Sequence, residues 1–470
     1  MLRLHWLIPL STWVFLAAQP LPFAERFEEI KKTASKDQLY AFLWALPKGG
    51  DLHNHLVQSY LAEQWYQAAI DPKRTHGNRY YTQVRFTGCP GNDGQFISFR
   101  TVQRSTWEAL GTCEKAEFEP MDALTPAQRE EWMSSLRLDK PGEGRNEFFE
   151  LTGKRRGDLG LDPYLVPDLL VEHMKLMSAQ HMPYLETQFR PLMQNQAGKP
   201  IPEDEVADLL KRRLQAPDAV ATGVTVRFLN SVLRYAPDAE QQVERLYGFI
   251  SRHRDLWVGM NMGGREDNDK GHARRFMEVH RRMRRTYPNV KLAFHGGEVD
   301  SPGSEVRQTL MLGAERVGHG VNLVTDPDTM LLMRASGRFL VEINLISNNL
   351  LEYVPDLATH PFPEYLRLGI PVCLNTDDPG AWDSNITDEY FVGVTNFNLT
   401  WPEIVEMGQN SLKHAFVEEP VKSRLLATYR EAVRNFESSY GTAEWQALTR
   451  QVPAAPSGYA IRTLGISARK

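Results

Sequence analysis

Apolar residues along most of this chain follow one of two rhythms. Stretches in which they recur every three or four positions mark helices with one buried face. Short continuous apolar runs between such helices mark strands covered on both sides. From residue 163 onward the two alternate. A helix over 164–180 precedes a strand over 182–189, and helices over 203–214, 238–254 and 270–287 precede strands over 223–233, 256–262 and 290–295. The order continues with helices over 304–312, 327–336 and 362–368 and strands over 316–323, 339–346 and 370–377. Helices near 402–415 and 420–438 follow. Ahead of this region, helical spacing over 24–48 ends in Pro47-Lys48-Gly49-Gly50, and a strand over 51–56 and a helix over 61–70 come next.

Counting the first, eight strands are separated by helical segments, the number that closes a parallel (β/α)8 TIM barrel, here with an N-terminal helical extension. A doubly wound open sheet shows the same alternation, but the chain carries neither GxGxxG nor GxxxxGK(S/T) to support it. Residues 71–160 sustain no period and are too long for a plain loop in a compact domain. They are expected to form an insertion after the first strand, with helices of its own, and are a candidate lid. The expected organisation is a leading segment over 1–24 and one catalytic domain over 25–470.

Composition narrows the class. Hydrophobic residues make up 42% and charged residues 24% of 470, the balance of a soluble globular protein. A net charge of -5 leaves no electrostatic footprint for nucleic acid or anionic lipid. The basic stretch over 274–285 leaves Phe276, Val279 and Met283 on one face, so it reads as the solvated side of an amphipathic helix. Arg3 followed by an apolar run from Leu4 to Ala18 resembles a signal peptide and is short for a membrane span. The expected location is therefore secreted or periplasmic, without a stable membrane anchor. Export would permit a disulfide between Cys89 and Cys113, leaving Cys373 as a buried thiol. Cysteine-rich zinc motifs are absent, so a metal would have to use histidine and carboxylate.

Active sites of parallel barrels lie at the C-terminal ends of the strands. There the first predicted strand carries His53-Asn54-His55, the fifth ends in His295-Gly296-Gly297-Glu298, the sixth in Gly318-His319-Gly320 and the eighth in Asn375-Thr376-Asp377-Asp378. Each alone is weak. Four strands offering such residues at the same end point to one metal centre, and neutral imidazoles with one carboxylate suit catalytic zinc with a position kept for water. Glu298 is placed to deliver a proton without being a ligand. HExxH, HxxEH and Pro-Cys-x-x-Cys are missing, and no lysine ends the fourth predicted strand, which favours a single ion. His173, His181, His253, His272, His280 and His414 fall in or beside predicted helices and are read as packing or surface residues; His360 is either structural or pocket-lining. Trp107, Phe118, Trp132, Phe148 and Phe149 in the insertion are read as packing, with a purine cap as the alternative.

The stretches Pro47–His55, Phe294–Glu298, Arg316–Gly320 and Asn375–Pro379 resemble the adenosine deaminase family in content and order, and Ser347–Leu351 followed by His360-Pro361 does so too. The Pro-Lys-Gly-Gly opening, leading segment and long insertion are most similar to its secreted, growth-factor-like branch and bacterial relatives. The resemblance implies zinc-dependent hydrolytic deamination of adenosine or a related 6-aminopurine nucleoside to inosine and ammonia, with one Zn²⁺ per subunit. It implies His53, His55, His295 and Asp377 as ligands, and Glu298 as proton donor to purine N1. His319 would orient the attacking water, with Asp377 helping to take its proton. Asp378 would meet N7, and the Gly264 backbone would meet N3. Two positions depart from the pattern: Val57-Gln58 stand where many members have an acid that helps hold ribose, and Asn261 replaces an acid on the fourth strand. Two rivals share these residues: a zinc amidohydrolase for another substrate class, and an exported binding or signalling protein on the same barrel. The oligomeric state stays open.

Overall fold

The computed structural model describes residues 22–89, 97–266, 270–300, 302–442 and 444–468. The apolar start read as a signal peptide lies outside the described residues as far as residue 21. Phe23 and Ala24, assigned to that segment above, instead form the first turn of a helix, Phe23–Thr33. The Phe23 ring packs against Trp401 at 4.5 Å, which ties this helix to the far end of the chain.

The single helix expected over 24–48 is two helices. Ser35 breaks it and caps the second, Lys36–Ala45, accepting from Gln38 N in a reciprocal capping box. The Lys48 side chain then turns back into the protein. Its buried ammonium donates to the carbonyls of Leu43, Trp44, Leu46 and Gln180, satisfying the last turn of that helix. Gly49 follows because a Cβ there would stand 2.1 Å from the Gly408 carbonyl. These contacts fix the point at which the first strand enters the barrel.

Eleven strands are present among the described residues. β1 (Gly50–Asp51), β5 (Tyr184–Gln188), β6 (Thr225–Leu233), β7 (Trp257–Gly263), β8 (Lys291–Gly296), β9 (Arg316–His319), β10 (Leu340–Ile343) and β11 (Val372–Leu374) pair in that order, all parallel. The ring is closed just past β1, where His55 N donates to Asp377 O and Asp377 N to His53 O, both at 2.9 Å. The eight strands therefore form the expected (β/α)8 barrel, with helices such as Leu165–Ala179, Glu203–Leu214 and Pro327–Ser336 outside it. In the basic stretch Phe276 and Val279 are buried and Met283 is half-buried, as the spacing predicts.

Four strands are shorter at their C-terminal ends than the apolar runs suggest. The strand expected over 51–56 stops at Asp51, that over 316–323 at His319, that over 339–346 at Ile343 and that over 370–377 at Leu374. The chain leaves extended geometry where it presents site residues: His319 has φ 65° and Asp377 φ 58°. Left-handed backbone at a non-glycine residue is strained, and it re-aims the side chain inward.

The insertion has the expected helices and, in addition, strands that the sequence pattern does not predict. It holds a small antiparallel sheet, β2 (Tyr80–Gln83), β3 (Thr101–Gln103) and β4 (Phe118–Pro120), in the order β3–β2–β4. Tyr81, Val102 and Phe118 make its core, with Trp107 stacked on Tyr81 at 4.4 Å. The Cys89–Cys113 disulfide, which the sequence permits without deciding, is formed, and Cys373 is a buried free thiol. Further along, Arg145–Glu147, a π-helical turn at Phe148–Thr152 and Gly153–Arg156 make one irregular helical run. Arg145 pins that run to the barrel top through Asp300 (2.6 and 2.7 Å) and the Leu351 carbonyl.

Candidate active site

Every strand-end residue picked out above converges on one place. His53 and His55 come from the turn after β1, His295 from β8, His319 from β9 and Asp377 from the segment after β11. Ligand-capable atoms of His53, His295, His319 and Asp377 lie within 4.8 Å of one another, and those of His55, Asp377 and Asp378 form an overlapping group. The His53 ring is 5.5 Å from His55 and 4.5 Å from His295. Close approach is possible because Gly318 has no side chain: a Cβ there would stand 2.4 Å from the His53 ring. His53 and His55 achieve their proximity in an irregular turn, because the strand expected over 51–56 ends at Asp51.

The residues fit a cation. Buried atoms His53 Nε2, His55 Nδ1, His319 Nε2, Asp377 Oδ1 and Asp378 Oδ1 have no hydrogen-bond partner. Five orphaned polar atoms facing one spot are a rarity in a folded interior, where such atoms are otherwise paired. Zinc satisfies two or three imidazoles and a carboxylate at once. Burial opposes ionisation of Asp377, but the imidazoles of His53 and His55 close beside it outweigh that and hold the carboxyl well below its usual range.

The supporting layer was not picked out from the sequence. Glu342 Oε2 accepts from His53 Nδ1 at 2.7 Å, leaving Nε2 bare toward the metal position. The other Glu342 oxygen is 2.7 Å from Arg316 Nε, and Arg316 Nη2 reaches Glu186 Oε2 at 2.6 Å, all with side chains at most 1% exposed. Asn261, the neutral replacement noted above, faces His295 Nδ1 with its Oδ1 at 3.1 Å while its amide nitrogen donates to the Ala293 carbonyl. A buried acid inside the apolar run over 339–346 was the available signal for Glu342; Asn261 was seen but its partner was not.

A longer relay fixes His319. The Phe362 backbone N–H donates to His360 Nδ1 at 3.1 Å, so the proton of that neutral ring is on Nε2. His360 Nε2 donates to Asn348 Oδ1 (3.1 Å), which turns the Asn348 amide nitrogen toward His319 Nδ1 (3.0 Å). Asn344 Nδ2 approaches the same atom at 3.2 Å. His319 Nδ1 is thus an acceptor, and its proton sits on Nε2, facing the cavity. Burial pushes both rings down to about 3, so both are neutral. This makes His319 a donor toward a reacting oxygen rather than a fourth imidazole ligand, and makes His360 structural.

Glu298 is brought over the floor by Gly297, whose φ of 82° and lack of a Cβ (which would meet Asn322 Oδ1 at 2.2 Å) permit the turn. Its carboxyl lies 3.7 Å from His319 Nε2. Burial, then the charges of Asp377 and Glu266, push it well above the ordinary carboxylic range, so it is a proton donor near neutral pH. Burial also raises Asp378, to about 7.

His55, Gly264, His295, Glu298, His319, Asp377 and Asp378 all line one cavity of about 410 Å³, and His53 lies directly beneath it. The insertion supplies part of the wall: Phe148, Phe149 and Thr152 line the cavity, whereas Trp107, Phe118 and Trp132 pack elsewhere. A separate cavity of about 550 Å³, bounded by Trp44, Leu61, His173, Met177 and Ile386, reaches none of the clustered histidines. His173 and His280 are buried packing residues, as expected.

A parallel (β/α)8 barrel whose strand ends gather three or four imidazoles, a low-pKa aspartate and a glutamate of raised pKa defines the class of metal-dependent amidohydrolases. Within it the chain belongs to the adenosine deaminase family, whose profile, described as adenosine deaminase, matches residues 162–432. An adenosine deaminase of Serratia proteamaculans is 34% identical over 212 residues, 45% of this chain and 60% of that protein. An N6-methyl-AMP deaminase of Danio rerio is 30% identical over 213 residues, 44% of this chain and 60% of the relative. The match thus spans under two thirds of these relatives' length. In three dimensions the chain is similar to an amidohydrolase of Burkhoderia ambifaria with bound Zn, with a TM-score of 0.62, 17% identity, and coverage of 85% of this chain and 94% of the other.

Proposed function

We propose that this protein deaminates a 6-aminopurine nucleoside by hydrolysis, adenosine giving inosine and ammonia, with one zinc ion held by His53, His55, His295 and Asp377. The observation that carries the reading is the set of orphaned buried atoms facing one spot beside a protonated Glu298. When bound, zinc lowers the pKa of water toward neutrality and so supplies a nucleophile. Glu298 donates its proton to N1 of the purine, which makes C6 electrophilic. His319 Nε2–H donates to the attacking oxygen and stabilises the charge that develops there. Asp377 accepts the proton given up by the water. Asp378, whose carboxyl pKa is raised by burial, donates to N7. The Gly264 backbone, at φ 89° in the cavity wall, faces N3. The intermediate then loses ammonia. Relatives named for adenosine and N6-methyl-AMP support a 6-aminopurine substrate.

The Cys89–Cys113 bridge and the apolar leading run support an exported protein. The segment over 71–160 acts as a wall of the catalytic domain, through Phe148 and Phe149. The test is the ultraviolet decay of adenosine with zinc-loaded protein and after chelation. Chelator-sensitive conversion to inosine supports the reading; no conversion by zinc-loaded protein removes adenosine as substrate and turns attention to other 6-aminopurines, nucleotides and amides.

A further inference from the structure

We propose that the distal end of the cavity binds an anion, so that the substrate is a 6-aminopurine 5′-mononucleotide, and that Arg190 recognises its phosphate. This rests on the 6-aminopurine reading of the site and specifies what that substrate carries at its far end.

The charges of the cavity wall are unevenly placed. Three acids, Glu298, Asp377 and Asp378, lie at the floor with the histidine cluster. Among the described residues, the remaining lining holds one formally charged side chain, that of Arg190. The surface between floor and mouth is neutral, with Val57, Gln58, Phe149, Leu161 and Leu233 along it. Among the described residues, no carboxylate stands there to repel an anionic group.

Arg190 also lacks the partner that a half-buried guanidinium normally has. Its one hydrogen bond is Nη2 to Gln242 Oε1 at 3.3 Å, a neutral acceptor. Arg137, Arg145 and Arg316 each hold a carboxylate within 4.0 Å; Arg190 holds none among the described residues. Burial and then the charge of Arg245 disfavour its charge, only partly offset by Asp238 and Glu203. A guanidinium kept charged against both influences is one that an anionic ligand would relieve, and its planar fork suits the paired oxygens of a phosphate.

Placement fits the length of a nucleotide. β5 ends at Gln188, whose backbone pairs with the turn holding Asn54 and His55. Arg190 lies two residues further along the same direction, roughly 7 Å nearer the mouth at the rise of an extended chain. A purine seated over the floor would direct its ribose along the neutral wall and its 5′ substituent toward Arg190. The chemistry is unchanged: water adds at C6, ammonia leaves, and adenosine 5′-monophosphate gives inosine 5′-monophosphate.

The test compares adenosine and adenosine 5′-monophosphate as substrates of the zinc-loaded full-length protein, at low and high salt, in wild type and in Arg190→Gln and Arg190→Lys. The wild type should turn over the nucleotide with the higher kcat/KM, and salt should lower that value while leaving adenosine's little changed. Arg190→Gln should lower the nucleotide-to-nucleoside ratio by about ten- to a hundredfold, as expected for loss of a charge-assisted contact, and Arg190→Lys should restore part of it. Rapid turnover of adenosine with negligible turnover of the nucleotide would overturn the inference and leave the deaminase reading intact. An equal loss for both substrates in Arg190→Gln would also overturn it, by showing a structural role. Turnover of neither by wild type would remove both readings.

Discussion

Exchanging Glu342 for glutamine replaces one carboxylate oxygen by an amide nitrogen, and neither orientation of the amide satisfies both neighbours. With the oxygen kept on His53 Nδ1, the NH2 group faces Arg316 Nε, donor against donor, at a position now 2.7 Å away. Arg316, fully buried, is then left with Glu186 as its sole acid. Removing one partner of a buried ion pair costs about 3–5 kcal/mol. With the amide reversed, Arg316 keeps its acceptor but the NH2 faces His53 Nδ1. That nitrogen must then accept, the ring proton moves to Nε2, and the lone pair needed by the metal is lost. Loss of such a support behind a metal-ligating histidine typically weakens affinity about 10- to 100-fold, roughly 1.4–2.7 kcal/mol. Glu342→Gln should therefore show weaker zinc binding, a lower melting temperature, or both. Zinc competition against a chromophoric chelator reads the first, and melts of metal-free and metal-loaded protein read the second. Zinc affinity within about threefold of wild type together with an unchanged metal-free melt would refute the assignment of Glu342 as the group holding both His53 and Arg316.

Asn348→Leu removes one of two amide donors that keep His319 Nδ1 an acceptor, worth about 1 kcal/mol. Steady-state kinetics should show kcat about fivefold lower at unchanged zinc content; a drop in bound zinc instead would place His319 among the ligands. Glu298→Gln should cost about 10²–10⁴ in kcat with zinc retained. Because the Glu298 pKa is raised and the acid form is the active one, wild-type activity should persist through neutral pH and fall as pH rises through that raised value; a rate rising steadily with pH would contradict the role. His280 is buried against Tyr247 and pushed down to about 3. As pH falls below about 6.5 the unfolded chain binds a proton that the folded one refuses, so stability should decline down to about pH 3, by at most about 1.4 kcal/mol per pH unit from this residue. Denaturant titrations of His280→Phe should show a shallower acid dependence than wild type, whatever its absolute stability; an identical slope would show that His280 titrates normally in the folded protein.

The sequence by itself determined the barrel and the chemistry-bearing residues. Apolar runs and helical spacing are local properties, and eight such runs, each followed by a helix, leave few ways to bury both faces of every strand. His53, His55, His295, Glu298, His319, Asp377 and Asp378 were legible because a parallel barrel puts all strand ends of one polarity on one face, so position along the run already predicts proximity. What surrounds them was not legible. The small sheet β2–β4 rests on strands of three or four residues, such as Tyr80–Gln83, too short to establish a period. Glu342 and Arg316 are 26 residues apart, and His360, Asn348 and His319 come from three different elements. Their hydrogen bonds depend on angles and distances that no local pattern encodes. Arg190 belongs with them: its side chain reads as an ordinary surface cation until the fold shows a cavity wall that, among the described residues, has no other charge above the floor. Tertiary structure decided which nitrogen of each histidine is bare, which acid is neutral and which cation is unpartnered, because those properties follow from burial and from neighbours brought together by the folded chain.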